Sequence, residues 1–363
     1  MGTITQRKRK NGSVGYTAQI RIKREGKLVH QETQTFDRKQ AASNWIQRKE
    51  SELREPGALT LANAPKATLC EAIERYTSES RKAIGRTKAQ VLRSIQDYPI
   101  ADMDCAEITS AEIVAFANEL SKGRKPQTVS NYLSHLGAVF TVARPAWGYQ
   151  LDQGAMRDAH AVLRRLGVSG KSHSRDRRPT LDELDKLLSH FTERQKRRPS
   201  SNPMQRITAF AIFSTRRLAE ITRIKWEDLD EEGNRILVRD MKNPGEKAGN
   251  NVWCDLPEEA LRIIQAMPRV EAEIFPFGTG AIGAAFTRAC KFLEIDDLRF
   301  HDLRHDGVSR LFEMGMTIPQ VATVSGHRSW QSLQRYAHLR QVGDKYKGWS
   351  WLPELAKTHP EGT

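Results

Sequence analysis

Cysteine is scarce in this 363-residue chain: Cys70, Cys105, Cys254 and Cys290 lie far apart and form no Cys-x-x-Cys pair. That usage suits reduced, partly buried thiols and argues against a disulfide framework or a zinc ribbon. Long apolar runs are missing as well. No stretch approaches the ~18 residues of a membrane span, and the polar start MGTITQRKRK lacks a signal-peptide core. A soluble, cytoplasmic chain with no membrane partner is expected. Neither a glycine-rich phosphate loop nor a carboxylate metal cluster is visible, so no cofactor is implied. Acidic residues are also in deficit, 44 against 58 Lys plus Arg, which leaves a net charge of +14. Such an excess points to a polyanionic partner, because each Lys or Arg set on a phosphate releases a condensed counterion.

At 38% hydrophobic residues the chain can still build real cores, and its length suggests two or three domains. The charge is front-loaded: residues 1–55 carry +7, 56–177 carry +5, and 178–363 only +2. Two stretches read as linkers, 56–67 with two prolines and no period, and 169–179, which is polar and basic. Each precedes a helix-start signal, Thr68 with Glu71 and Thr180 with Glu183, both of capping-box form. The expectation is therefore a multidomain α+β fold: residues 1–55, 68–168 and 180–363, the last carrying a C-terminal tail.

The first segment shows strand-like runs at 16–23 and 28–36 joined by the turn Arg24-Glu25-Gly26-Lys27, and an earlier turn implies a preceding strand. A helix should start at Asp37 and bury Trp45, Ile46 and Leu53. A small three-stranded sheet backed by one helix can lay its exposed face in a DNA groove. The plainer alternative is an interaction domain with a solvated basic face. Lys8, Arg9 and Lys10 are its candidate DNA contacts. The middle segment reads as helical. Thr109 and Glu112 cap one helix, and Val129, Tyr132, Leu133, Leu136 and Phe140 form a stripe better suited to core than to base stacking. Ahead of the stripe, Arg124 and Lys125 suit phosphate contact, with Thr128 and Asn131 as possible groove contacts.

The last segment is mainly helical with a small β-hairpin, from 235–241 to 251–256. A strongly apolar helix, 207–213, runs into Ser-Thr-Arg-Arg-Leu-Ala-Glu. Arg217 and Glu220 are three apart, so the carboxylate can orient the guanidinium, although alone this is an ordinary ion pair. Lys242 lies at the hairpin turn, with Lys247 five residues on. His301-Asp-Leu-Arg304-His305 brings two histidines and an arginine onto one face. Two histidines at i, i+4 fit half of a zinc-hydrolase pattern, but Asp302 stands where that pattern has Glu and no downstream ligand signature follows. The competing reading is a phosphate clamp in which Arg304 forks two oxygens and His301 moves a proton. Ser325-Gly326-His327 follows, and Tyr336 comes nine residues after His327.

The order Arg with Glu, Lys on a hairpin, His-x-x-Arg, Gly-His and then Tyr resembles the tyrosine recombinase family of the phage-integrase type. The likeness spans residues 180–340 and includes STRRLAEITRIKWEDLD at 214–230. More loosely, 68–168 resembles the family's core-binding domain and 1–55 its arm-type DNA-binding domain. Two departures stand out: Thr215 replaces the usual glycine two before the first arginine, and Ser-Gly-His replaces Leu-Gly-His. Arg216 leaves the clamp arginine ambiguous, with Glu220 favouring Arg217. The resemblance implies that Tyr336 attacks a DNA phosphodiester, forms a 3′-phosphotyrosine and releases a 5′-hydroxyl. Arg217, Arg304 and His327 would then stabilise the transition state, His301 would accept the tyrosine proton, and Lys242, or Lys247, would protonate the leaving oxygen. It further implies integration or excision of a prophage or mobile element at attachment-type sites, by a homotetramer on double-stranded DNA, with a DNA-bending accessory protein or directionality factor. The tail, with Trp349 and Trp351, would dock on a neighbouring protomer. The alternatives are a Xer-like dimer resolvase, a type IB topoisomerase, and a DNA-binding module with a decayed active site.

Overall fold

A computed structural model of the chain describes residues 2–8, 13–55, 58–172, 175–241, 249–336 and 338–357. The fold is α+β, and the chain divides into two units, 1–173 and 174–363.

The first unit opens with an antiparallel sheet in the order β1-β2-β3, formed by β1 (Gly2–Lys8), β2 (Val14–Arg24) and β3 (Lys27–Phe36). Glu25 and Gly26 both have positive φ, 47° and 77°, the conformation a tight two-residue hairpin requires. Helix α1 (Lys39–Arg54) covers one face, where Ala18 and Ile20 pack on Ala42, Trp45 and Leu53. Within the expected linker 56–67, residues 58–67 hold more structure than a plain linker. They contain helix α2 (Ala58–Ala62), and the Asn63 amide accepts from His30 Nδ1 at 2.8 Å and donates to the Val29 carbonyl at 2.9 Å. A five-residue helix is too short to leave a periodic signal in the sequence.

Five further helices share one core: α3 (Leu69–Glu79), α4 (Arg86–Ile95), α5 (Ser110–Ser121), α6 (Pro126–Trp147) and α7 (Gln153–Arg165). Thr68 with Glu71 and Thr109 with Glu112 make reciprocal capping boxes. The α6 stripe of Val129, Tyr132, Leu133, Leu136 and Phe140 is buried in this core.

In the second unit, α8 (Leu181–Arg197) and the wholly buried α9 (Met204–Phe213) lead into the short α10 (Leu218–Ile221). A three-stranded antiparallel sheet follows, of β4 (Leu229–Asp230), β5 (Arg235–Val238) and β6 (Val252–Asp255). The sheet therefore extends the expected hairpin by β4, whose two residues are too few to show alternation. Then come α11 (Glu258–Gln265), α12 (Thr279–Phe292), α13 (Phe300–Glu313), α14 (Ile318–Ser325), α15 (Gln331–Gln334) and α16 (Trp351–Leu355). Helix α13 crosses α9 at Gly307, where a Cβ would stand 2.0 Å from the Ile212 carbonyl oxygen. Only glycine permits so close a backbone approach.

Among the described residues, the two tail tryptophans pack within their own unit. Trp349 is buried in its own unit against Tyr346 and Phe213, and its indole N–H donates to Asp185 at 2.7 Å. Trp351 packs on the same core. Among the described residues no helix is long and apolar enough to cross a membrane.

Candidate active site

Arg216 and Arg217 are adjacent but point to different surroundings. Arg216 is buried, donating to the Ser214 carbonyl at 3.0 Å, to Cys254 Sγ at 2.9 Å and to the Val324 carbonyl. Arg217 stands at the N-terminus of α10, partly open to solvent, with Nη1 donating to Glu220 Oε1 at 2.6 Å. Glu220 Oε2 accepts from the Arg217 backbone N–H at 3.0 Å and lies 4.0 Å from Arg304 Nη1. One buried carboxylate thus sits between two guanidiniums. Burial works against its charge, but Arg216, Arg217 and Arg304 outweigh that cost and hold its pKa below the usual range.

Arg304 projects from α13 and is held by the Thr215 and Ser325 carbonyls, the latter at 3.2 Å. Burial, then the Arg217 and Arg216 cations, push its pKa down to about 9, which still leaves it charged at neutral pH. Thr215 has φ +54°, a left-handed conformation unusual for a β-branched residue. That explains the glycine usual at this position in the resembling family: the turn must aim a carbonyl at Arg304.

His327 follows Gly326, which closes α14 at φ +68°. Its Nε2 lies 3.1 Å from Arg304 Nη2 and its Nδ1 2.7 Å from Ser325 Oγ. Arg304 can only donate, so the network assigns the proton to Nδ1, which donates to Ser325. Burial, then Arg304 and Arg217, lower the His327 pKa to about 3 and keep the ring neutral.

Tyr336 comes just after α15 and belongs to a small apolar cluster with Phe312, Val321 and Leu333. Its ring lies nearly parallel to Phe312, 13° between planes and 6.1 Å between centroids. Burial raises its pKa, opposed by Arg335 and Arg304. The ring hydrogen-bonded to its hydroxyl is not His301 but His305, through Nδ1. His301 lies edge-on to His305, with centroids 5.0 Å apart. The i+4 step accounts for the difference: it carries His305 one turn along α13, toward Phe312 and the tyrosine. The pattern that singled out His301 also contained His305, without a signal to rank the two. Lys242 and Lys247 lie outside the described residues. Among the described residues no three His, Cys, Asp or Glu side chains gather as a metal-ligand set.

Residues 175–178, expected as linker, are tied to α13. Arg175 donates to both Asp302 oxygens at 2.8 Å, and Arg178 reaches Asp306 at 2.7 Å and Glu313 at 2.6 and 2.9 Å. Arg335, beside the tyrosine, donates to Asp176 at 2.7 Å and to the Arg175 carbonyl at 2.8 Å. The Arg175–Asp302 pair joins residues 127 apart, beyond any local sequence signal.

A second candidate surface is the helix-free face of the N-terminal sheet. Strand register places Thr3, Thr5, Arg7, Thr17, Gln19, Arg21, Gln31, Thr33 and Thr35 on it. None is acidic, and they interlock by Thr17–Thr35, Gln19–Thr33 and Arg21–Gln31 hydrogen bonds of 3.1 to 3.3 Å. Lys8 is exposed at the end of β1, whereas Arg9 and Lys10 lie outside the described residues. In the helical part Arg124 stacks on Tyr132 at 5.1 Å and donates to Tyr98 Oη at 2.9 Å. Lys125 is exposed just before α6, with Thr128 and Asn131 half-buried in its first turns.

Paired guanidiniums braced by one carboxylate, with a phenol and the imidazole it bonds close by, form a site able to hold a phosphate diester beside an oxygen nucleophile. The comparisons agree with that chemistry. Residues 177–342 match the Phage integrase family model. A shufflon-specific DNA recombinase of Escherichia coli is 29% identical over 287 residues, covering 76% of this chain and 70% of its own length. A DNA-bound Tn1549 transposon integrase has a similar fold, with TM-score 0.59 at 15% identity over 75% of this chain and 95% of its own. So does a lambda integrase tetramer bound to a Holliday junction, with TM-score 0.58 at 20% identity over 89% of this chain and 95% of its own. Residues 177–342 thus carry a domain of the phage integrase family, in keeping with a tyrosine recombinase.

Proposed function

We propose that this chain is a site-specific integrase that cuts and rejoins double-stranded DNA through a 3′-phosphotyrosine at Tyr336, integrating or excising a prophage or mobile element. The observation that carries the reading is Glu220 set between Arg217 and Arg304, with Tyr336 hydrogen-bonded to the helix that bears Arg304. A pentacoordinate phosphorane gathers negative charge on its equatorial oxygens. Preorganised guanidiniums stabilise that charge more than the ground state, which is where rate comes from. In the free site His327 braces Arg304. Lys242, or Lys247 in its place, protonates the leaving 5′-oxygen. Because the phosphotyrosine stores the energy of the broken bond, a second 5′-hydroxyl can reverse the step on another strand without any cofactor.

The lambda integrase tetramer on a Holliday junction supports the same assembly here, a homotetramer joining two attachment-type sites. Arm-type binding falls to residues 1–55, through the Thr/Gln/Arg sheet face, and core binding to 68–168, through Lys125, Thr128 and Asn131. The added sheet favours an integrase over a dimer resolvase. A DNA-bending accessory protein or directionality factor fits this architecture, acting on DNA in the bacterial cytoplasm.

To test this, the chain is incubated with a pool of nicked duplexes of randomised sequence, and denaturant-resistant adducts are captured and sequenced. Wild type should enrich one core sequence in the adducts, and Tyr336→Phe should bind that sequence without forming an adduct. Tight binding with no adduct from wild type would favour a decayed active site instead.

A further inference from the structure

Arg304 and Arg310 are buried in the second unit, and each faces an acid: Glu220 lies 4.0 Å from Arg304, and Asp344 accepts from Arg310 at 2.8 Å. Arg206, on α9, is equally buried, at 5% exposure, yet among the described residues no carboxylate pairs with it. Its Nη1 donates to the Ala266 carbonyl at 2.9 Å and its Nη2 to the Lys357 carbonyl at 2.5 Å. Two carbonyl dipoles hold the guanidinium in place but leave its unit charge unbalanced. Burial pushes its pKa down, with no acid to oppose the shift. An anion brought to Arg206 would regain part of that cost.

Arg206 lines a cavity of about 800 Å³ between the end of α8, the start of α9, the stretch after α11, and α16. Met267, Phe277, Trp351 and Leu355 give the cavity an apolar wall. Three further lining residues carry a buried polar atom without a hydrogen-bond partner among the described residues: Thr192 Oγ1, Ser201 Oγ and Gln205 Oε1. The Gln205 amide is oriented by its own donation to Gln195 Oε1, which leaves its oxygen over. Glu354, the acid among the lining residues, is exposed and engages Lys357 Nζ at 2.5 Å rather than Arg206. A space of this size, with apolar walls and a few fixed polar groups, suits a small organic molecule.

We propose that this cavity is a binding site for an organic monocarboxylate with an apolar body, an aryl or medium-chain alkyl acid. The carboxylate pairs with the Arg206 guanidinium, and the body lies against Met267, Phe277, Trp351 and Leu355. Charge selects a monoanion, because a dianion would bring more negative charge than one buried guanidinium balances. The site shares no residue with Arg217, Arg304, His327 or Tyr336, so it is separate from the proposed DNA chemistry. Occupancy stabilises the folded second unit by mass action.

To test this, the full chain is titrated by calorimetry at about 150 mM salt, where exposed charges are screened. The probes are naphthalene-2-carboxylate and octanoate, with naphthalene-2-methanol and 1-octanol as their neutral counterparts. At least one acid should bind one to one, about tenfold or more tighter than its alcohol, and should raise the melting temperature. Acetate has the charge without the body and should do neither. Arg206→Gln should erase the preference for acid over alcohol. Because that change removes a buried group, Ser200→Trp supplies a second variant: Ser200 lines the cavity but is exposed, so an indole there fills the space without entering the core. It should melt like wild type without ligand and weaken acid binding about tenfold or more. The assignment is overturned if neither acid binds below about 10 mM, if acids and alcohols bind alike, or if acetate matches octanoate. Acid binding unchanged in Ser200→Trp, or an acid preference that survives in folded Arg206→Gln, overturns it equally.

Discussion

Arg216 and Arg217 are identical in chemistry and adjacent in sequence, yet only one is open to a phosphate. Arg216 spends its donors on two carbonyls and a thiol inside the core, while Arg217 keeps a partly exposed guanidinium oriented by Glu220. Arg216→Ala should therefore destabilise the second unit by about 2–5 kcal/mol, through a cavity and unpaired acceptors, as read by thermal melting. Arg217→Lys preserves a charge for Glu220, so it should melt near wild type while slowing adduct formation about 100-fold or more. Equal losses of stability in the two variants would contradict this division. Acid behaviour belongs to the residue scale as well. His305 and His327 have native pKa values near 4 and 3, below an unfolded value near 6.5, so between those limits the unfolded chain binds more protons. Their contribution to stability is complete above the unfolded value and is lost as pH falls through it toward the native values. Glu220, also depressed, adds to the loss below the ordinary carboxylate range. Urea midpoints of the second unit should accordingly fall steeply below about pH 6.5, and less steeply for His305→Asn.

At the scale of elements, α13 is the hub. One side presses Gly307 on α9, another carries Arg304 and His305, and a third buries Asp306 beneath Arg178 and Lys345, both at 2.7 Å, and the Tyr346 hydroxyl at 2.5 Å. Gly307→Ala sets a methyl against backbone that cannot swing aside, so a loss of at least about 2 kcal/mol is expected, visible as a lower melting temperature. Asp306→Ala removes the carboxylate shared by Arg178, Lys345 and Tyr346, leaving Arg178 to Glu313 and Lys345 to the Pro179 carbonyl, and should cost about 1–3 kcal/mol. Helix starts could be read from the sequence because their signals are local. Thr68 with Glu71, Thr109 with Glu112, and Thr180 with Glu183 each close a capping box within four residues. The candidate arginines, His327 and Tyr336 were legible through motif order. What escaped was set by distance along the chain: Arg175 and Arg178 find their acids more than a hundred residues away, and His305 reaches its tyrosine across 31. The left-handed Thr215 shows the same limit, since the carbonyl it aims serves a residue 89 positions later.

For the whole molecule, bulk charge is a poor guide to which residues meet DNA. The +5 of residues 56–177 includes Arg175 and Arg177, which are held by Asp297, Asp302 and Glu183 and contribute little to a free cationic surface. Within residues 1–55 Arg48 and Lys49 likewise pair with Glu32 and Glu52, and strand register sets Arg7 and Arg21 on a sheet face among hydroxyls and amides. Phosphate contacts position a protein without reading sequence, whereas amides and hydroxyls aimed at base edges discriminate. On that face the two kinds of group stand side by side, and they should separate in experiment. Arg7→Gln with Arg21→Gln should weaken binding of the full chain to duplex carrying its arm-type site. It should also flatten the plot of log affinity against log salt by about 0.9 for each phosphate no longer neutralised. Gln19→Ala or Thr33→Ala should instead leave that slope intact and relax the preference for the site over random duplex. Neither change should alter the rate of adduct formation on a saturated core site, because the chemistry resides in the second unit. An unchanged salt slope in the double arginine variant would place the front-loaded charge off the DNA and remove the physical reason for assigning arm binding to the sheet.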